Sequence, residues 1–319
     1  MPSKTEEYLA LAQRTANGLT RYWEHWTDYL TTASRLYKYS FADQLMIYAQ
    51  RPDATACASF DIWNNRMNRY VRRGSKGIAL LDQSSSVPRL HYVFDVSDTG
   101  VRRNSRDPEV WQLGPDLVQP VSEMLAREYG VRHERITQQI ADICGKLVDS
   151  YWDNNSGDIL DIVDGSYLEE YHDYDKGVAF INAATVSTTY ALLSRCSLAA
   201  DAHFDPEEFT PVFDFNTPQT VFALGSAVSE ISEKVLRSIE VTIKKYEREK
   251  LSERSQENER TDLHTQRGLL DSQSEPVPAG EQAPGQVRQD AESIPSGVSP
   301  GAVEQPDPVG AAVPPSAGD

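Results

Sequence analysis

The 319 residues include 39% hydrophobic and 25% charged side chains, enough apolar material for two or three domains at ~100–200 residues each. A net charge of −17 excludes a protein coated in nucleic acid over its whole surface. No run of ~18 apolar residues offers a membrane span, and the acidic start Met1–Arg14 is no signal peptide. Three well-separated cysteines (Cys57, Cys144, Cys196) form neither a disulfide framework nor a zinc knuckle. The expected location is the cytoplasm of a bacterial cell.

In chain order, Tyr8, Leu9, Ala12, Ala16, Leu19, Trp23, Trp26 and Leu30 recur at three- and four-residue steps and predict one long amphipathic helix over 6–32. Ser40, with Asp43 three residues on, caps a second helix through Phe41, Leu45 and Tyr48. It ends near Gln50 because Arg51 precedes Pro52. A third helix is expected from Ser59, with Phe60, Trp63, Met67 and Val71 on its core face and Asn65, Arg66 and Arg69 opposite. Then the period changes. Arg72–Gly77 reads as a glycine-punctuated turn, Ile78–Leu81 as a strand, 82–88 as a polar loop, and Arg89–Val96 as a strand alternating at Leu90, Tyr92, Phe94 and Val96. Ser97–Gly100 closes that strand.

Residues 5–105 are therefore expected to form an α+β domain, helices on a small antiparallel sheet. Residues 114–250 read as a mainly α-helical, acidic region, with helices near 116–129, 133–152 and 184–200. A long helix follows from Thr217-Pro218 to Lys250, striped by Val221, Leu224, Val228, Ile231, Val235, Ile239 and Ile243. The remainder, 251–319, is expected to be a disordered tail or linker. Nine of the 18 prolines and no aromatic residue fall in the last 44 positions, too little apolar surface to offset chain entropy.

Chemistry is suggested first by a local excess of positive charge. From Arg35 to Lys76 there are eight basic and three acidic residues in 42. Arg66, Arg69, Arg72, Arg73 and Lys76 are the candidate phosphate contacts, with Gly74 and Gly77 letting backbone N–H groups come close to phosphate. Tyr39, Tyr48 and Tyr70 are candidate stacking rings, and interleaved cations and rings suit single strands whose bases are exposed. The plainer reading of the same residues is a solvated helix face over an aromatic core, and Phe60 and Trp63 fit that core. The turn is not a nucleotide-hydrolase phosphate loop, because Lys76 lies between Ser75 and Gly77.

No His-Glu-x-x-His occurs, and no two of the six histidines stand four apart, so no catalytic or structural metal is expected. Asp149–Asp175 holds nine acids and no Lys or Arg. It reads as a solvated acidic loop, with a DNA-mimicking face as the sharper option. Its nearest calcium-loop match, Asp153–Asp158, has its glycine one position early. Cys144 and Cys196 fall in apolar helical patterns and read as core. No cofactor and no enzymatic activity are expected.

Tyr39–Gln50, Phe60–Trp63 with Val71–Leu81, and Tyr92–Val96, in that order, resemble the N-terminal domain of ArdC-type antirestriction proteins. That family has a Tyr-Ser-x-x-Asn-Gln-Leu-Leu helix, then a Trp-containing helix, an Arg-Lys-Gly-x-Lys-Gly-Ile turn and a strand. Gly74, Lys76 and Gly77 match directly, Arg72 and Arg73 keep the charge, and Asp43 stands where the family has Asn. The resemblance covers 5–105. It implies a single-stranded-DNA-binding domain carried by conjugative plasmids and transposons. The family's second domain is metalloprotease-like, and its His-Glu-x-x-His is missing here. The whole chain is still more similar to the start of very large proteins of Firmicutes integrative elements, which join such a domain to helicase or DNA-methylase domains. The implied role is non-enzymatic single-stranded DNA binding in a mobile element, with a link to antirestriction. The competing roles are an adaptor for conjugation or replication proteins through the acidic helical region, a DNA mimic, and a fragment of a larger helicase or methylase protein.

Overall fold

The computed structural model describes residues 3–82 and 88–271. Seven helices and five short strands make a largely helical molecule with a small amount of antiparallel sheet. Clustering of backbone contacts gives a first unit, Met1–Thr261, and a second, Asp262–Asp319.

The predicted helix over 6–32 is two helices, α1 (Lys4–Leu19) and α2 (Trp23–Arg35). The break at Thr20–Tyr22 has a tertiary cause. The Thr20 hydroxyl donates to the carbonyl of Phe215, 2.8 Å away, a partner no helical periodicity reveals. Helix α3 (Phe41–Gln50) starts and stops where expected. The Ser40 hydroxyl accepts from the Asp43 N–H, and Arg51 leaves helical geometry before Pro52.

The third expected helix is largely absent. β1 (Cys57–Ser59) leads into a short turn ending in π-helical Ile62–Arg66, and β2 (Arg69–Val71) follows. Asn68 at φ 50° ends the turn, in the left-handed region that Asn tolerates better than most residues. β3 (Ile78–Asp82) and β4 (Arg89–Asp95) agree with expectation, while the loop residues 83–87 lie outside the described residues. A 3-10 turn at Val96–Asp98 passes into β5 (Thr99–Val101).

The strands form two sheets. One has the order β1-β4-β3, antiparallel, pairing Cys57 with Asp95 and Ile78 with Val93. The other is a two-stranded ribbon, β2-β5, pairing Arg69 with Val101 and Val71 with Thr99. On β4 the buried positions are Val93 and Asp95. Val93 is buried with Ile78, Leu80, Ala12, Met46 and Ile47, whereas Tyr92 is exposed. The other side of Val93 carries Tyr92 and Phe94, which flank Gly77 so closely that a Cβ there would lie 3.1–3.2 Å from them.

Helix α4 (Val118–Tyr129) lies near the expected range. Helix α5 (Ile136–Leu160) runs eight residues beyond its predicted end. The Asn154-Asn155-Ser156-Gly157 stretch looks like a breaker. In the fold, both Asn side chains donate to carbonyls four residues back (2.6 and 2.7 Å), and the helix continues. Half of the acidic segment and the near-match to a calcium loop are therefore helical.

Helix α6 (Asp173–Arg195) starts earlier than predicted and packs on α2 and α5. Its Gly177 admits Trp152 so closely that a Cβ would sit 2.9 Å from the indole. Length and hydropathy alone would let α6 cross a bilayer, but 67% of its apolar window is buried in this fold. Ser197 and Ala199 at positive φ follow its end. Helix α7 begins at Pro218 as predicted but continues to Asp271, past the expected end at Lys250. Residues 251–271 are rich in Glu, Arg, Gln and Leu, all good helix formers. The rest of the expected tail, 272–319, lies outside the described residues.

The boundary expected between 105 and 114 does not divide the core. One cluster runs from Ala16 through Trp26, Tyr37 and Phe41 to Phe180, Val228 and Ile243. Trp26 donates to the Ser187 hydroxyl at 2.8 Å, and Phe41 meets Phe222 edge-on with centroids 5.0 Å apart. Cys144 and Cys196 are buried, as expected.

Candidate nucleic-acid interface

The β2-β5 ribbon gathers much of the local positive charge. From Arg66 to Arg106 there are nine basic and three acidic residues. Asp98 and Asp95 are already engaged. Asp98 holds the Arg51 guanidinium through both oxygens, at 3.0 and 3.2 Å. Asp95 accepts from the backbone N–H groups of Thr55, Ala56 and Ser97 at 2.7–3.0 Å. Burial would raise the Asp95 carboxyl, but these hydrogen bonds outweigh it and hold it below the usual range. Neither carboxylate is free to neutralise an arginine on the ribbon.

Both ends of the ribbon are fastened. At one end, Arg72 N–H donates to the Asp98 carbonyl at 2.8 Å, and its guanidinium to the Ser97 carbonyl at 3.0 Å. At the other, the turn Arg102–Arg106 is clamped to Asn68. The Asn68 amide donates to the Arg103 carbonyl, and the Ser105 hydroxyl to the Asn68 carbonyl. Such fixed backbone holds the charged side chains on a defined surface.

The predicted site residues divide. Arg66, Arg72 and Arg73 are exposed on or beside the ribbon, and Gly74 sits at φ 89°, a conformation that suits glycine in the turn. Among the described residues, the Arg66 and Arg73 side chains have no polar partner. Tyr70 is 43% exposed, lies over Gly100, and has the Arg102 guanidinium 5.7 Å from its ring centroid. These positions are exposed on β2 or beside its two ends.

Arg69 does not join them. It is 7% exposed, donates to the Thr99 hydroxyl at 2.8 Å and pairs with Asp107. Strand alternation puts it on the inner side of β2, where the expected helix would have put it outside. Tyr39 is mostly buried, with its hydroxyl on the Cys57 carbonyl. Tyr48 packs edge-on against Tyr29. Neither lies on the β2-β5 ribbon. Lys76 and Gly77 line a separate cleft of about 530 Å³ with Lys4, Tyr8, Arg51 and Tyr92.

Two residues that no sequence motif singled out join the ribbon. Arg102 and Arg103 add two exposed guanidiniums to the ribbon. Phe60, expected in the core, is 52% exposed, while Trp63 is buried and donates to the Phe94 carbonyl. The charge of Arg102 and Arg103 is plain in the sequence. The placement of Arg102 beside Tyr70 depends on the β2-β5 pairing.

Among the described residues, no three His, Cys, Asp or Glu side chains stand close enough to hold a metal ion. No family model matches the chain, and no curated protein or solved structure is detectably similar to it.

Proposed function

We propose that the chain binds single-stranded DNA without acting on it chemically, and that the β2-β5 ribbon is the contact surface. The observation that carries this reading is an exposed Tyr70 ring with the Arg102 guanidinium, which has no carboxylate partner, 5.7 Å from its centroid. A ring face stacks on an unpaired base regardless of sequence, and Arg66, Arg73 and Arg103 neutralise phosphates on either side. Duplex DNA hides its base faces and offers the ribbon phosphates alone. With a net charge of −17, the chain repels DNA at long range, so binding depends on these local contacts and weakens with salt. The resemblance of 5–105 to ArdC-type domains supports the same ligand, and with it a role in a mobile element, antirestriction included.

The test is fluorescence anisotropy of the full chain with labelled single- and double-stranded oligonucleotides over about 50–200 mM salt. The expected result is salt-sensitive binding that prefers single strands and is lost in Arg73→Glu/Arg103→Glu. Both side chains are exposed, so the variant should keep the wild-type circular dichroism and melting temperature. Absence of single-strand binding at low salt, or full binding by the folded double variant, would overturn the assignment.

A further inference from the structure

A second charged feature lies apart from the exposed face of the ribbon. A cavity of about 440 Å³ opens between the end of α2, the start of β1, the segment 106–111, and helices α6 and α7. Its volume is within the ~300–1,000 Å³ range of ligand sites. Its wall is aromatic at Tyr37, Tyr39 and Trp111.

The cavity holds more cations than it can pair. Glu240 accepts from the Tyr37 hydroxyl and from Lys38 and Lys244, so its oxygens are saturated. Glu109 lies 3.0 Å from Lys244, and Asp107 is taken by Arg69. That leaves Arg35, Arg106 and Arg195. Arg35 donates to the carbonyls of Ala54 and Pro52. Arg195 donates to the Trp111 carbonyl at 2.9 Å, and its guanidinium lies over the indole, 3.5 Å from the centroid. Among the described residues, none of the three has a carboxylate partner. Arg35 feels Asp53 and Asp95, and Arg195 feels Glu240, without a direct ion pair, and burial outweighs that attraction and lowers both from the usual arginine value, a cost to the folded state. An anion entering the cavity would relieve that cost.

We propose that this cavity binds a phosphate-bearing ligand of mononucleotide size, with the phosphate on the unpaired guanidiniums and the base against the aromatic wall. Free nucleotide and the terminal nucleotide of a DNA strand share that chemistry. The turn ending at Arg106 belongs to both this cavity and the edge of the ribbon, so a bound strand could finish here. The proposal does not depend on single-strand binding by the ribbon.

The test is isothermal titration of the full chain with inorganic phosphate and with deoxynucleoside monophosphates. Alongside it, anisotropy compares 5′-phosphorylated with 5′-hydroxyl oligonucleotides. The expected result is saturable nucleotide binding, competed by phosphate and weakened about tenfold or more in Arg195→Gln. Arg106→Gln, at an exposed side chain, tests the same site should Arg195→Gln fail to fold. Arg73→Glu/Arg103→Glu should leave nucleotide binding unchanged even where it abolishes strand binding. A 5′-phosphate preference that Arg106→Gln removes assigns the site to strand ends, and nucleotide binding without such a preference assigns it to free nucleotide. No binding of any monophosphate up to about 10 mM together with no 5′-phosphate preference would overturn the proposal. So would binding that neither arginine variant alters.

Discussion

Glu240 keeps its charge at 6% exposure. Burial alone would raise its carboxyl, but hydrogen bonds from Lys38, Tyr37 and Lys244 hold it down to about 2, against an ordinary 4.5. The folded state therefore binds this proton less readily than the unfolded chain. The stabilisation is fully present above about pH 4.5 and is lost as pH falls towards 2. Thermal melts across that interval should show a steep fall for the wild type and a flatter one for Glu240→Gln, which should also be less stable at neutral pH. Parallel curves would show that the network adds nothing. The three thiols follow the same logic in reverse. Burial pushes Cys57, Cys144 and Cys196 up to about 12, so almost no thiolate exists near neutral pH. Iodoacetamide should label the native chain slowly and the denatured chain quickly at all three positions. Rapid native labelling would contradict the burial.

At the level of elements, two glycines mark close approaches with opposite consequences. A Cβ on Gly225 would fall 2.0 Å from the buried ring of Phe41, where α3 crosses α7. Gly225→Ala should cost about 1–3 kcal/mol, as overpacking of a filled core does, and lower the melting temperature. A Cβ on Gly100 would meet the Tyr70 ring at 2.3 Å, but that ring can swing into solvent. Gly100→Ala should therefore spare the melting temperature and weaken single-strand binding, if the ribbon is the DNA surface. Elements set by local chemistry were readable in advance. Ser40 and the Arg51-Pro52 pair bracket α3, and Thr217-Pro218 opens α7. Elements set by distant partners were not. Phe60, Trp63, Met67 and Val71 have helical spacing, yet pairing of β2 with Thr99–Val101 makes a strand of the last part. That one misreading moved Arg69 from surface to interior and hid the neighbourhood of Arg102 and Arg103. The arginine content of the candidate interface was thus legible, and its membership was not.

At the scale of the molecule, the first unit draws its core from both ends of its sequence. Thr20 bonds to Phe215, Phe41 packs on Phe222, and Tyr37 bonds to Glu240. The last buried hydrophobic residue among those described is Ile243, and residues 251–257 are exposed. Truncation after Lys250 should leave the melting temperature unchanged, whereas truncation after Thr217 should prevent cooperative folding. The same closure orders events on the ribosome. The first 50 residues emerge with apolar faces whose partners on α7 are nearly 200 residues away. At about 5–20 residues per second, the nascent chain waits roughly 10–40 s before those faces can be covered. Through that interval the N-terminal helices expose their apolar faces, and the first unit cannot close until α7 has left the exit tunnel.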